Sequence, residues 1–539
     1  MADSSNSQHE LRVIRDTIQS IWVAIILAFV LRAFVLEAFV IPTGSMATTL
    51  VGQHFMLQCP ACQISFAFAP ADFVADSTTR LQTVAGARCP NCATIVDAFV
   101  PANGGDRVLV LKYLYDFLPP QRWDVVVFRN PQDNHMMYIK RLVGLPGETL
   151  EIVHGDVFVR DGDGEYRVAA KPKAVQDAMW QLLYDNNYIP DPAKVLDADG
   201  IAFAAPRWQP APGDEERWTP AHAGRAFDFD GQQKASLELR APRSAFLPRN
   251  SYNLDSNLPV NDKDLVTDLQ LACVFIPADR NAAVTLGLTS FHDAFTAEVA
   301  ADGWATLTYQ THQGHAQQTA KLPLPLTIGR GYKLALEHAD LSVRFYVDDH
   351  LIFESTPAEY HVTYHQQVNR VRSPERMPQP RVTIAASGGR SQVRHLRVMR
   401  DVYYTATKLE HKTALDAPQF VVANLLRLPG SESSVPSWGS MGKPITLEGG
   451  RGDLDEFFML GDNSPVSLDS RAWTAAAPTL RLWRDPHQEP SLENLQYQLG
   501  TVPRYNIMGR AFFVYWPSGH RLPGLVPAVP NVGQMRVIR

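Results

Sequence analysis

Met136-Met137-Tyr138-Ile139-Lys140-Arg141-Leu142-Val143-Gly144-Leu145-Pro146 sets two cations inside an otherwise apolar run. The run predicts a strand over residues 135–143. Trp123-Asp124-Val125-Val126-Val127-Phe128, joined to it by Arg129-Asn130-Pro131-Gln132-Asp133-Asn134, predicts its hairpin partner. Residues 108–111, 456–460 and 509–516 read as further strands, so the core is mainly β. A lysine walled by aliphatic side chains is one whose neutral form is favoured, because burial penalises the ammonium. A neutral lysine can act as a base. Ile41-Pro42-Thr43-Gly44-Ser45-Met46 offers a serine that needs such a base, since a free hydroxyl is a weak nucleophile. No GxSxG elbow and no His–Asp partner for Ser45 stands out.

Three more boxes complete the order: Gly105-Asp106-Arg107-Val108-Leu109-Val110, then Gly461-Asp462-Asn463-Ser464-Pro465-Val466-Ser467-Leu468-Asp469-Ser470-Arg471, then Ile507-Met508-Gly509-Arg510-Ala511. With the Ser45 and Lys140 boxes, this series resembles the motifs of type I (leader) signal peptidases, membrane-anchored Ser-Lys proteases. The resemblance implies Ser45 as nucleophile and Lys140 as general base, with the Thr43 hydroxyl and the Ser45 N–H as the oxyanion hole. It implies Ser467 as the hydroxyl that orients Lys140, Asp469 and Arg471 as a supporting ion pair, and Asp462 and Asn463 as scaffold. Thr48 stands where the family pattern has proline, which loosens the loop after the nucleophile but removes no reacting group. The implied substrates are preproteins carrying signal peptides, laid as a strand along a sheet edge. No cofactor is implied for catalysis.

Ile18 to Leu36 reads IQSIWVAIILAFVLRAFVL, close to the ~20 residues that span a bilayer. The expected organisation is a cytoplasmic N-terminus over 1–17, a single transmembrane anchor over 18–40 and everything later on the extracytoplasmic side of the cell membrane. Peptidase core segments are expected over 41–164 and 446–539.

Two insertions interrupt that core. Residues 56–100 carry Cys59, Cys62, Cys89 and Cys92 as two CPxC knuckles, the spacing of a zinc ribbon with four thiolate ligands. An oxidising compartment leaves disulfides as the alternative. Residues 165–445 open with a helical stretch, KAVQDAMWQLLYDN, and continue with short alternating strands that predict an antiparallel β-sandwich. The run GYKLALEHADLSVRFYVDDHLIFES with PRVTIAASGGRSQVRHLRVMRDVYY resembles concanavalin A-like (laminin G-like) jelly rolls, which leaves room for a ligand of unknown class. Because all implied catalytic residues lie outside it, this insertion is expected to be dispensable for hydrolysis. An alternative is a membrane-anchored binding or adhesion protein with a relict peptidase core. The 539 residues carry 50 basic and 56 acidic side chains with no basic block, so no nucleic-acid partner is implied.

Overall fold

The computed structural model describes residues 3–30, 35–70, 73, 81–197, 203–253, 264–300, 303–310, 316–355, 359–360, 362–373, 375–405, 437–473, 477, 498–518 and 531–539. The first sheet is antiparallel throughout. Its order is Leu36–Val40, Arg107–Leu111, Ile507–Trp516, Val125–Asn130, Asp133–Gly144, Glu456–Leu460 and Val502–Pro503. Strands from both ends of the chain interleave here, so the large insertion is a detour from one sheet. A smaller sheet follows at its side, in the order Arg167–Val168, Asp156–Asp161, Glu148–Val153, Ile445–Thr446. The two edges of the expected 165–445 insertion therefore pair with the core instead. The strands that build the sandwich begin at Gln181 and end at Arg400.

The sandwich consists of two antiparallel sheets. One is centred on Leu269–Pro277 between Ser391–Arg400 and Tyr332–Ala339. The other is centred on Ala283–Ser290 between Val382–Ser387 and Asp293–Ala300. Leu269–Pro277 alternates buried and half-buried residues along its length, the period-2 pattern of a strand with one face inward. Leu271, Phe275, Leu336 and Phe345 from one sheet share a core with Leu237, Leu286, Phe295 and Ile384 from the other. Burial of each such side chain contributes about 1.5–3 kcal/mol relative to exposure. Trp208 and Trp218 are buried, whereas Trp304 is exposed beneath Lys321.

Two expectations need correction. The helix predicted over KAVQDAMWQLLYDN stops at Met179, and Gln181–Asp185 is a strand paired with Ser391–Arg400. Pairing with a neighbouring strand overrides local helix propensity there. The expected transmembrane anchor over 18–40 is not helical at its end. Helix Asp3–Val30 holds its first part, residues 31–34 lie outside the described residues, and Leu36–Val40 is an edge strand paired with Arg107–Leu111. Among the described residues no helix is long and apolar enough to cross a membrane. Ile18, Ile21, Trp22, Ile26 and Phe29 nevertheless stand exposed on that helix.

The cysteine-bearing insertion is two hairpins, Phe55–Gln58 with Ser65–Phe68 and Leu81–Arg88 with Ile95–Pro101. It docks on the start of the large insertion: Asn91 Nδ2 donates to Tyr188 O at 2.8 Å, and Asp191 N to Ala61 O at 3.0 Å.

Candidate active site

Lys140 pairs with Val126 and Arg141 with Val125 across the hairpin, so the two cations point to opposite faces of the sheet. Both are buried. On one face, Lys140 Nζ lies 2.5 Å from Ser45 Oγ, with the Tyr138 ring centroid 5.6 Å away. On the other, the Arg141 guanidinium grips Asp462 through two parallel contacts, Nε to Oδ1 at 2.7 Å and Nη2 to Oδ2 at 2.6 Å. Asp462 also accepts from Thr49 Oγ1 at 2.5 Å. The ion pair thus ties the loop after Ser45 to the lysine strand and to the box at 461–471.

Ser45 is half-buried in a turned segment closed by Ala47 N to Gly44 O and Leu50 N to Met46 O. Asn463 straddles it: its backbone N–H donates to Ser45 O at 3.1 Å, and its Nδ2 to Gly44 O at 2.9 Å. Among the described residues no backbone hydrogen bond uses the Ser45 N–H, and half-buried Thr43 precedes it by two residues. Asp106 braces the far end of the loop, accepting from Val51 N at 3.1 Å and from Arg536 at 3.0 Å. Gly461 is required by close approach: a Cβ there would sit 2.5 Å from Ser45 O and 2.1 Å from Ser467 Oγ.

Asp469 and Arg471 form the expected buried pair, with contacts of 2.9 and 2.7 Å. Burial alone would raise the Asp469 pKa, but the Arg471 charge and hydrogen bonds, with Lys140 adding to them, hold it below the usual carboxylate value. Ser467, expected to orient Lys140, makes no hydrogen bond to it among the described residues. Its hydroxyl is buried and has no hydrogen-bond partner among the described residues.

Sequence reading did not single out Arg141 or Thr49, although the Lys-Arg dipeptide inside an apolar strand was a usable signal. It also missed Asn250, Tyr252 and Asn253. The insertion expected to stand clear of the site reaches it, with Asn250 Nδ2 donating to Ala47 O at 2.8 Å and Asn253 Oδ1 accepting from Asn463 Nδ2. No motif spacing linked those residues to Ser45.

The four thiols of Cys59, Cys62, Cys89 and Cys92 are buried within 4.8 Å of one another. Each knuckle closes the same way, Gln63 N to Cys59 O and Ala93 N to Cys89 O, both at 2.9 Å. Cys59 Sγ and Cys92 Sγ are 3.5 Å apart, and Cys62 Sγ and Cys89 Sγ 3.6 Å. A disulfide requires about 2.0 Å, whereas thiolates on one tetrahedral zinc, each ~2.3 Å from it, stand about 3.8 Å apart.

Comparison with known proteins finds the family described as "Signal peptidase, peptidase S26" over residues 101–191 and 451–516. Those residues include Lys140, Arg141 and the 461–471 box, while Ser45 lies outside them. A probable signal peptidase I-1 of Synechocystis sp. is 40% identical over 74 residues, 12% of this chain and 37% of that protein. A signal peptidase I of Rickettsia typhi is 26% identical over 150 residues, 28% of this chain and 45% of that protein. The chain spans less than half the length of either relative. Among solved structures, a laminarinase from Rhodothermus marinus aligns over 41% of this chain and 98% of its own, at 14% identity and a TM-score of 0.26. A carbohydrate-binding module from Bacillus subtilis aligns over 35% and 94%, at 11% identity and a TM-score of 0.22. The family match and the curated relatives together support kinship with the S26 signal peptidases over the sheet that carries Lys140 and Asp462.

Proposed function

We propose that this chain is a signal peptidase I, a serine endopeptidase that removes signal peptides from exported preproteins. The observation that carries the reading is the 2.5 Å approach of Lys140 Nζ to Ser45 Oγ inside a buried site. A neutral Lys140 takes the Ser45 proton as Oγ attacks the scissile carbonyl. The resulting oxyanion is held by the Ser45 N–H and the Thr43 hydroxyl; one such donor is worth about 3 kcal/mol of transition-state stabilisation. The Lys140 ammonium then gives its proton to the leaving amine. In the second half, Lys140 takes a proton from water as it attacks the acyl-enzyme, and returns that proton to Ser45 Oγ. Ser467 orients the Lys140 amine, a role for which its buried hydroxyl is available.

The substrate has a place to lie. The Lys140 strand pairs with Glu456–Leu460 only through Arg141, Leu142 and Gly144. The half before Lys140 carries exposed Met136 and Met137. An extended peptide added along that edge would run past Lys140. The exposed apolar residues between Ile18 and Val30 fit attachment to a bilayer, with the cytoplasm on the N-terminal side and the site on the extracytoplasmic side. We also propose that Cys59, Cys62, Cys89 and Cys92 hold a structural zinc. Four thiolates close its coordination, so it takes no part in the chemistry.

The test is cleavage of a purified preprotein in detergent. Wild type releases the mature protein, and Ser45→Ala does not. Cleavage by Ser45→Ala at the wild-type rate overturns the reading, and no cleavage by folded wild type favours a binding protein with a relict core.

A further inference from the structure

Residues 250–253 belong to the large insertion, yet they are packed against the segment that carries Ser45. Tyr252 is buried under Gly44: a Cβ on Gly44 would lie 2.1 Å from Tyr252 Cε1 and 2.7 Å from Cδ1. The Tyr252 hydroxyl donates to Gln53 O at 2.5 Å, beyond the far end of the loop. Asn250 Nδ2 donates to Ala47 O at 2.8 Å, and its Oδ1 accepts from Tyr252 N at 2.8 Å, which locks the short segment on itself. Asn253 is buried and accepts from Asn463 Nδ2, the same amide that donates to Gly44 O. Asn253 Nδ2 donates to Ala69 O, and Ala69 N to Tyr252 O at 3.0 Å, so the cysteine-bearing insertion buttresses the segment from behind. Ala47, Ala69 and Tyr252 form one small buried apolar cluster.

These contacts bear on chemistry through geometry. Three backbone carbonyls of the nucleophile loop, those of Gly44, Ser45 and Ala47, are held by amide or backbone N–H groups from Asn463 and Asn250. Fixing the Gly44 carbonyl fixes the opposite edge of its peptide plane, which is the Ser45 N–H. A displacement of about 1 Å at a reacting group can cost on the order of 100-fold in rate.

We propose that Asn250, Tyr252 and Asn253 are positioning residues for Ser45, so that the inserted sandwich completes the hydrolytic site. The inference rests on the Ser45–Lys140 reading and adds that the site is not self-sufficient in the peptidase core. None of the three touches the substrate or the reacting atoms; they act through the loop.

The experiment uses the full chain in detergent with a purified preprotein. It compares wild type with Tyr252→Phe, Asn250→Ala and the pair Asn250→Ala/Asn253→Ala, and takes Asp349→Ala on the exposed sandwich surface as the control. kcat and KM are measured separately, and near-UV circular dichroism reports folding. The expected result is a kcat loss of tenfold or more in Asn250→Ala and of about 100-fold in the pair, with KM within twofold and unchanged dichroism. Tyr252→Phe keeps the ring beneath Gly44 and removes only the bond to Gln53, so it should fold and lose kcat by a few-fold. Asp349→Ala keeps wild-type kcat. A folded pair variant with kcat within twofold of wild type overturns the proposal. If the pair does not fold, Tyr252→Phe and Asn250→Ala decide: wild-type kcat in both overturns it. Undiminished cleavage by Ser45→Ala instead sinks the underlying reading, a separate outcome.

Discussion

Arg141 and Asp462 meet one to one behind the proposed active site, whereas Lys171 faces a surplus of carboxylates where the sandwich joins the core. The first pair is matched in charge and in shape, a guanidinium fork on both oxygens of a carboxylate with neither side chain exposed. At the joint, Lys171 Nζ contacts both Asp340 and Asp401, the latter at 2.9 Å. Carboxylates of Asp156 and Asp268 lie with that of Asp340 inside 4.8 Å. These groups come from different parts of the fold: Asp156 from the small sheet, and Asp268, Asp340 and Asp401 from turns and strand ends of the sandwich. Burial, reinforced by the neighbouring carboxylates, pushes the Asp156 carboxyl well above its ordinary pKa. The Asp401 carboxyl is pushed up to about 6, Lys171 only partly offsetting its burial. A matched pair serves as a brace. A cluster with more acids than bases, two of them with raised pKa values, is a joint that responds to pH.

Breaking the brace should have the largest effect. Arg141→Met leaves Asp462 buried without its cation, which costs roughly 3–5 kcal/mol. Thr49 and Asn463 then lose their common anchor, and cleavage should fall at least 100-fold. Urea unfolding together with cleavage kinetics measures both. Wild-type stability and rate would show that the pair is not a brace.

Lys171→Met tests the joint. It removes the cation from among several acids, so destabilisation should approach the same size at pH 8 and shrink at pH 5, where more of the carboxyls are protonated. A loss independent of pH would contradict the surplus-acid description.

The cysteine cluster separates the two regions in another way, because its insertion meets the nucleophile loop through Ala69 and residues 252–253, away from the thiols. Native protein should carry one zinc per chain by elemental analysis. Stripping it should lower the melting temperature clearly and slow turnover by no more than about tenfold, since structural zinc sites contribute to folding. Two disulfides and no metal would replace the zinc assignment.

Asp401→Asn should give the smallest change, and in the opposite direction. The folded chain keeps a proton on Asp401 that the unfolded chain releases. This group's contribution to stability is therefore full below about pH 4 and is lost as pH rises through about 6. The amide cannot ionise, so the variant should be more stable than wild type at pH 8, on the order of 1 kcal/mol. It should also vary less between pH 4 and 6. Destabilisation at pH 8 would mean that the charged Asp401–Lys171 contact outweighs burial.

The sheet that carries Lys140 was legible in the sequence because its strands announce themselves locally. Residues 456–460 and the 123–143 hairpin alternate or run apolar between turn residues, and the structure places strands there. Lys140 and Ser45 were legible as ordered boxes, and the four cysteines by spacing. Gln181–Asp185 was not, since only its partner strand made it extended. Nor was the contact of Asn250–Asn253 with the loop around Ser45, more than 200 residues away in sequence. Its side chains acquire meaning only once two insertions fold against one loop. Such long-range polar contacts leave no periodicity to read, so the expectation that the sandwich could be excised without effect had no local signal against it.

In the proposed reaction Ser45 and Lys140 act as one unit. Steady-state cleavage of a preprotein by Ser45→Ala, Lys140→Ala and the double variant tests it most directly, with folding checked in each. Each single variant should lose turnover almost completely and the double variant should be scarcely worse than either, because neither residue works without the other. Appreciable cleavage by folded Lys140→Ala, falling further when Ser45→Ala is added, would contradict it.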